Sequence, residues 1–279
     1  MGRNGAGKTT LIRLICGLQN PTGGKHSIYE HSYTEPEIRE ARRRMGAVVE
    51  TPSIYLDMSA ENNMKEQYHV LGLPSYEGID SILKLEGLTG TGEKKAKNFS
   101  LGMKQRLGIA IALASDPDFL VLDEPINGLD PQGIIEMREL ILKLNKEQGI
   151  TILISSHILD ELGKLATHYG FIDNGHMVKE ISAEELEHVC RKCAVFTVSD
   201  TESFSKVAER LHMDYEILSD NQTELFGEFV LTDLVLELKK ENCIVTSIRE
   251  QDETLEAYYM NLLGTQQDPT RQNGKKVQS

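Results

Sequence analysis

Residues 2–9 read Gly-Arg-Asn-Gly-Ala-Gly-Lys-Thr, an instance of the pattern G-x-x-x-x-G-K-[ST]. No other stretch restricts the fold as strongly. The glycines let the backbone curl until several N–H groups point inward, a cradle for phosphate oxygens. Lys8 can reach terminal phosphates, and the Thr9 hydroxyl suits a magnesium ion. The segment TTLIRLICGL that follows reads as a short helix. Leu11, Leu14, Ile15 and Leu18 fall at helical spacing, and Gly17 with Pro21 stops it. The loop thus opens a helix, whose dipole favours anions. Gly2, Asn4, Gly5, Ala6, Gly7, Lys8, Thr9 and Thr10 are the expected nucleotide contacts.

A second element lies far along the chain. Asp118 to Asp123 reads DFLVLD, an apolar strand that ends in an acid and is followed by Glu124 and Pro125. Open parallel sheets bind ligands at the carboxyl ends of their strands. Asp123 is expected to hold the magnesium shell there, and Glu124 to orient or deprotonate an attacking water. A lone Asp-Glu pair would be an ordinary solvated strand end. Paired with the phosphate loop, it completes a nucleotide site.

Three further segments narrow the class. Residues 99–106 read FSLGMKQR and precede the helix LGIAIALAS. Asn127 to Asp130 reads NGLD directly after Glu124-Pro125, and ITILISSH puts His157 at the end of another apolar strand. In order and spacing these are similar to the signature, D-loop and switch histidine of the ABC ATPase family. The resemblance runs from residue 2 to about residue 185. It implies an α/β P-loop NTPase fold, a RecA-like core with an ABC helical subdomain, and ATP with Mg2+ as ligands. It also implies a head-to-tail dimer, either a homodimer or a pseudo-dimer. Each ATP would then lie between one subunit's loop and the signature of the other, where Ser100, Leu101, Gly102 and Met103 act in trans and Asp130 marks the D-loop. Glu124 and His157 would be the catalytic pair.

Within the class, the details resemble bacitracin- and lantibiotic-type export and self-protection ATPases. The signature reads Ser100-Leu101-Gly102-Met103, and the family's Q-loop glutamine is replaced by Glu50. An ionised glutamate offers only acceptors, whereas glutamine also donates. Glu50 would bind magnesium more strongly than glutamine, joining Thr9 and Asp123, yet repel the terminal phosphate. The family's P-loop follows a buried strand, with an adenine-stacking aromatic further upstream, and neither precedes Gly2 here. The expectation is a native start upstream of Met1, with hydrolysis depending on that strand. The alternative is a truncated or regulatory ABC protein with little ATPase activity.

The strings GAVVE, DFLVLD and ITILISS read as buried parallel strands. GIIEMRELILKLNKEQG is the helix of a β-α-β unit between the last two. Asn174-Gly175 reads as a hairpin turn. The ATPase domain is expected over residues 1–186, with the helical subdomain at about 57–103. The stretch from Glu50 to about Asn63 joins the two lobes and, in the family, meets the membrane subunit. Residues 187–264 read β-α-β-β-α-β plus a closing helix, a small ferredoxin-like α+β appendage in which no catalytic constellation is visible. Residues 265–279 are polar and read as a disordered tail.

The formal net charge of -13 argues against a nucleic-acid partner. Cys190 and Cys193 form a lone Cys-x-x-Cys pair near His188, half of a tetrahedral zinc set, and read as incidental thiols. No apolar run is long enough to span a bilayer, and no charged-then-apolar leader is present. A transport role therefore requires a separate permease. It would place this chain at the cytoplasmic face of the cell membrane, held there through that subunit.

Overall fold

The computed structural model describes residues 1–190, 193–227, 229–251 and 255–267. The chain forms two units. The first comprises Met1–Leu165 with Gly170–Lys179, and the second Ala166–Tyr169 with the residues from Glu180 onward. The division falls at Glu180, seven residues before the boundary expected at residue 187.

In the first unit, helix α1 (Lys8–Cys16) follows the glycine loop. A short hairpin (Ser27–Ile28 with His31–Ser32) leads to α2 (Ile38–Arg43) and strand β1 (Met45–Val48). Helices α3 (Ala60–Leu71), α4 (Ile79–Leu85) and α5 (Leu101–Leu113) come next. Then follow β2 (Phe119–Asp123), α6 (Pro131–Gln148), β3 (Thr151–Ser155) and α7 (Leu159–Gly163). Strands β1, β2 and β3 form a parallel sheet in that order, with Val48 opposite Leu122 and Asp123 opposite Ser155. All three carboxyl ends therefore lie at one edge. Strands β4 (His168–Asp173) and β5 (His176–Ser182) form a hairpin. Its turn has positive φ at both Asn174 (47°) and Gly175 (78°), the signature of a two-residue type I′ connection.

Helix α1 packs otherwise than its periodicity suggests. Ile12 is its buried apolar residue, whereas Leu11 and Leu18 are 39% and 67% exposed. The segment is apolar on several sides, so spacing alone does not choose which side is covered. Its end is defined by Gly17, in left-handed conformation at φ 73°, whose N–H reaches the Arg13 and Leu14 carbonyls. Arg42 from α2 donates to Ile15 O and Leu14 O, so a cation sits at the same helix end and shares the Leu14 carbonyl.

Two apolar cores meet on α5. Ile109, Ala112 and Leu113 pack with Leu120, Leu122, Ile141 and Leu144 around the sheet. Leu107, Ala110 and Ala114 instead join Met64, Tyr68, Leu83, Leu88 and Phe99 from the helical region. The helical core thus extends beyond residue 103, because α5 is apolar on nearly all sides and serves both clusters. Each fully buried leucine there is worth roughly 1.5–3 kcal/mol of transfer free energy. Glu86 lies in the same region, only 1% exposed, and neither of its carboxyl oxygens has a hydrogen-bond partner. Burial pushes its pKa well above the usual carboxylate value, opposed by the charge of Arg106.

The second unit continues with α8 (Ala183–Val189), β6 (Cys193–Val198), α9 (Thr201–Arg210), β7 (Tyr215–Ser219) and β8 (Gln222–Phe226). Helix α10 (Leu231–Lys240), β9 (Val245–Gln251) and α11 (Leu255–Gln267) complete it. Its sheet is antiparallel in the order β9-β6-β8-β7. Phe196, Phe204, Val207, Leu225, Leu234 and Leu238 form its core. Of the expected tail, residues 265–267 belong to α11, and 268–279 lie outside the described residues.

Candidate nucleotide site

The glycine loop is positioned from both ends. Upstream, the Ile172 N–H donates to Met1 O at 2.7 Å, which sets Gly2 beside β4. A side chain at Gly2 would have its Cβ 2.3 Å from Ile172 O, so only glycine fits. Downstream, the Gly175 N–H donates to Ala6 O at 2.8 Å. Gly5 and Gly7 take positive φ (80° and 108°), the conformation that lets consecutive N–H groups form a concave nest. Gly7 is the N-cap of α1, so the nest opens onto a helix start. Asn4, Gly5 and Thr10 are exposed, and Gly7 and Thr9 are half-buried.

Lys8 is 8% exposed and turns back over the loop. Its Nζ donates to Gly2 O at 2.7 Å and Arg3 O at 3.1 Å, and pairs with Glu124 Oε1 at 3.2 Å. The other carboxylate oxygen of Glu124 shares a 2.6 Å hydrogen bond with His157 Nδ1. Loop lysine, strand-end glutamate and switch-position histidine are thus joined in one chain of contacts, although they come from three parts of the sequence.

Ser155 fixes the acids. Its hydroxyl donates to Asp123 Oδ1 at 2.5 Å, and the Glu124 N–H donates to Ser155 O (3.1 Å) and Ser155 Oγ (2.9 Å). Glu124 has φ 51°, a conformation that non-glycine residues rarely adopt. Asp123 is 3% exposed, and its second oxygen accepts no hydrogen bond from the described residues. That leaves one carboxylate oxygen open to a cation. The described residues contain no group of three or more His, Cys, Asp or Glu side chains able to hold a metal. Cys16 is the last residue of α1. Burial pushes its thiol up to about 11, with Arg42 opposing and Asp123 adding.

Glu50 stands apart. It makes no hydrogen bond or ion pair with Thr9, Asp123 or Glu124, and pairs instead with Arg13 at 2.5 Å. The Ser100–Met103 turn is also separate from the Lys8 cluster. Ser100 is the N-cap of α5, its hydroxyl accepting from Met103 N at 3.2 Å. Leu101 is 46% exposed. A Cβ at Gly102 would contact Leu129, and one at Gly128 would contact Leu101, so signature and D-loop share one surface. Asp130 closes that surface as N-cap of α6, accepting from Gly133 N.

Sequence reasoning missed Ser155 and Arg13. A signal for Ser155 existed in the two serines ahead of His157, small polar residues at the end of an apolar strand. Arg13 had none, because its partner lies 37 positions away.

Comparison with known proteins identifies the family. The family model described as ABC transporter matches residues 1–127. The chain is 41% identical over 268 residues to the bacitracin transport ATP-binding protein BcrA of Bacillus licheniformis, covering 95% of this chain and 87% of that protein. It is 43% identical over 180 residues to the lantibiotic transport ATP-binding protein SrtF of Streptococcus pyogenes, covering 64% and 76%. Among solved structures, cbiO1 from Clostridium perfringens, part of an ABC transporter complex, aligns with TM-score 0.60 and 27% identity, covering 76% of this chain and 82% of that one. The dimeric post-hydrolysis ATP-binding cassette MJ0796 bound to ADP and Pi aligns with TM-score 0.58 and 25% identity, covering 66% and 83%. Nest, buried lysine, paired strand-end acids and these relatives converge: the chain belongs to the ABC transporter family, as an ATP-binding subunit.

Proposed function

We propose that this chain hydrolyses ATP to drive export of a peptide antibiotic or related amphipathic compound through a separate permease. The observation that carries the hydrolytic part is the contact chain Lys8–Glu124–His157 at the mouth of the loop. The loop N–H groups and Lys8 bind the phosphates. The present partners of Lys8 include two neutral carbonyls, weaker acceptors for an ammonium than a phosphate oxygen. Thr9 and Asp123 would hold Mg2+, which neutralises phosphate charge when bound. Glu124 accepts a proton from the attacking water or orients it. His157, bonded to the same carboxylate, steadies that base and the terminal phosphate.

In the dimer, Ser100, Leu101, Gly102 and Met103 of one subunit would close on the nucleotide held by the other. A helix start presenting N–H groups to phosphate supports this reading. Closure and reopening would be felt by the permease at the cytoplasmic face of the membrane. Among the described residues, no helix is long and apolar enough to cross a membrane. The choice of cargo rests on the bacitracin and lantibiotic relatives.

Co-expression with a cognate permease in a sensitive bacterium tests the assignment. The minimal inhibitory concentration of bacitracin or a lantibiotic should rise severalfold, and Lys8→Ala should abolish the rise. Protection that survives Lys8→Ala would contradict an ATP-driven role. ATP hydrolysis without protection against either class would refute the cargo assignment.

A further inference from the structure

Glu50 and Glu124 occupy equivalent places on neighbouring strands. Each lies two residues beyond a registered pair, Val48 and Leu122, at the carboxyl edge of the sheet. Each takes left-handed φ, 61° and 51°. Such backbone is rare for residues other than glycine and persists where surrounding structure enforces it. Each is also met by a cation from the same helix, Lys8 for Glu124 and Arg13 for Glu50. Helix α1 therefore supplies a positive partner to both strand-end glutamates, and its own N-terminus forms the phosphate nest.

From this arrangement we infer that Arg13 is a positioning residue for nucleotide binding, holding Glu50 and neutralising it so that an acid is tolerated beside the triphosphate. The inference rests on the ATP-binding reading given above. A carboxylate at this position repels phosphate, and at 332/(ε·r) that repulsion reaches several ångströms even in a partly solvated cleft. Arg13 cancels that charge and fixes the side chain by a direct hydrogen bond at 2.5 Å. The pair also ties the segment leading to the helical region onto α1. Both side chains are about half exposed, 44% and 54%, so the pair adds little to stability. Its effect belongs to binding.

The test is a double-mutant cycle on the full chain. MgATP affinity is titrated at low and high salt for wild type, Arg13→Met, Glu50→Gln and the double variant, with thermal unfolding followed in parallel. Arg13→Met should weaken binding about two- to fivefold at low salt, the range half-exposed pairs reach. The loss should shrink at high salt. In the Glu50→Gln background, Arg13→Met should have almost no effect, and Arg13→Lys should restore most of the affinity in the native background. An equal loss with and without Glu50 would overturn the inference, as would no loss at all. Should Arg13→Met fail to fold, Arg13→Lys against Arg13→Gln makes the same comparison. A wild-type chain that does not bind MgATP would overturn both this inference and the ATP-binding reading. Binding without coupling between the two residues would overturn this inference alone.

Discussion

Glu124→Gln should lower the ATP turnover rate by about 10²–10⁴, the usual worth of a general base, and leave MgATP affinity within a few-fold of wild type. The amide preserves shape and still presents an oxygen to Lys8, whose other contacts are backbone carbonyls. It cannot take a proton from water. The Glu124 backbone, held by Ser155 from two atoms, should keep its place. With nucleotide bound and hydrolysis blocked, the variant should accumulate as a closed dimer on gel filtration. Turnover and binding lost together would show that Glu124 builds the site rather than performing the chemistry.

Glu86→Leu should stabilise the fold by about 1–3 kcal/mol near neutral pH, the cost of a buried polar group without a partner. Glu86 ends α4 among apolar side chains, and Arg106, the nearest counter-charge, is bonded to Glu136 instead. The sign of the pH dependence follows from the raised pKa. In the unfolded chain this carboxyl ionises near its ordinary value of 4.5, whereas in the folded protein it keeps its proton to higher pH. Above that value the unfolded state binds fewer protons, so wild-type stability declines as pH rises through the window. The gap between the denaturant midpoints of wild type and Glu86→Leu should therefore be smallest near pH 4, where only the polar cost of the protonated carboxyl remains, and widen at higher pH. Glu86→Gln, which cannot titrate, should lose the pH dependence but keep part of the polar cost. A constant gap, or a destabilised leucine variant, would refute this account.

These two sites differ in how far the sequence discloses them. The loop is legible because glycines at fixed offsets admit one backbone shape, and Asp123-Glu124 because an apolar strand of a parallel sheet must end where ligands bind. The β-α-β unit and the Asn174-Gly175 turn follow from periodicity and turn chemistry for the same local reason. Contacts between distant segments leave no such trace. Arg13 with Glu50 and Ser155 with Asp123 depend on register between strands and on the reach of long side chains. Glu86 reads as one more surface acid in LKLEGL, although Leu83 and Leu88 on either side are both buried. On α1, periodicity marked a stripe through Leu11 and Leu18, and packing chose Ile12. The exchange at residue 50 was visible, but its consequence was not, because the sequence gives no sign of the guanidinium that meets it.

The central claim is that the loop at residues 2–9 binds nucleotide through Lys8. Equilibrium titration of the purified chain with MgATP, beside Lys8→Ala, tests it most directly. The account predicts saturable binding in the micromolar to low-millimolar range, on the order of 4–8 kcal/mol, and its near-complete loss in Lys8→Ala with unchanged thermal unfolding. Binding that survives Lys8→Ala, or a folded wild-type chain with no affinity for MgATP, would contradict it.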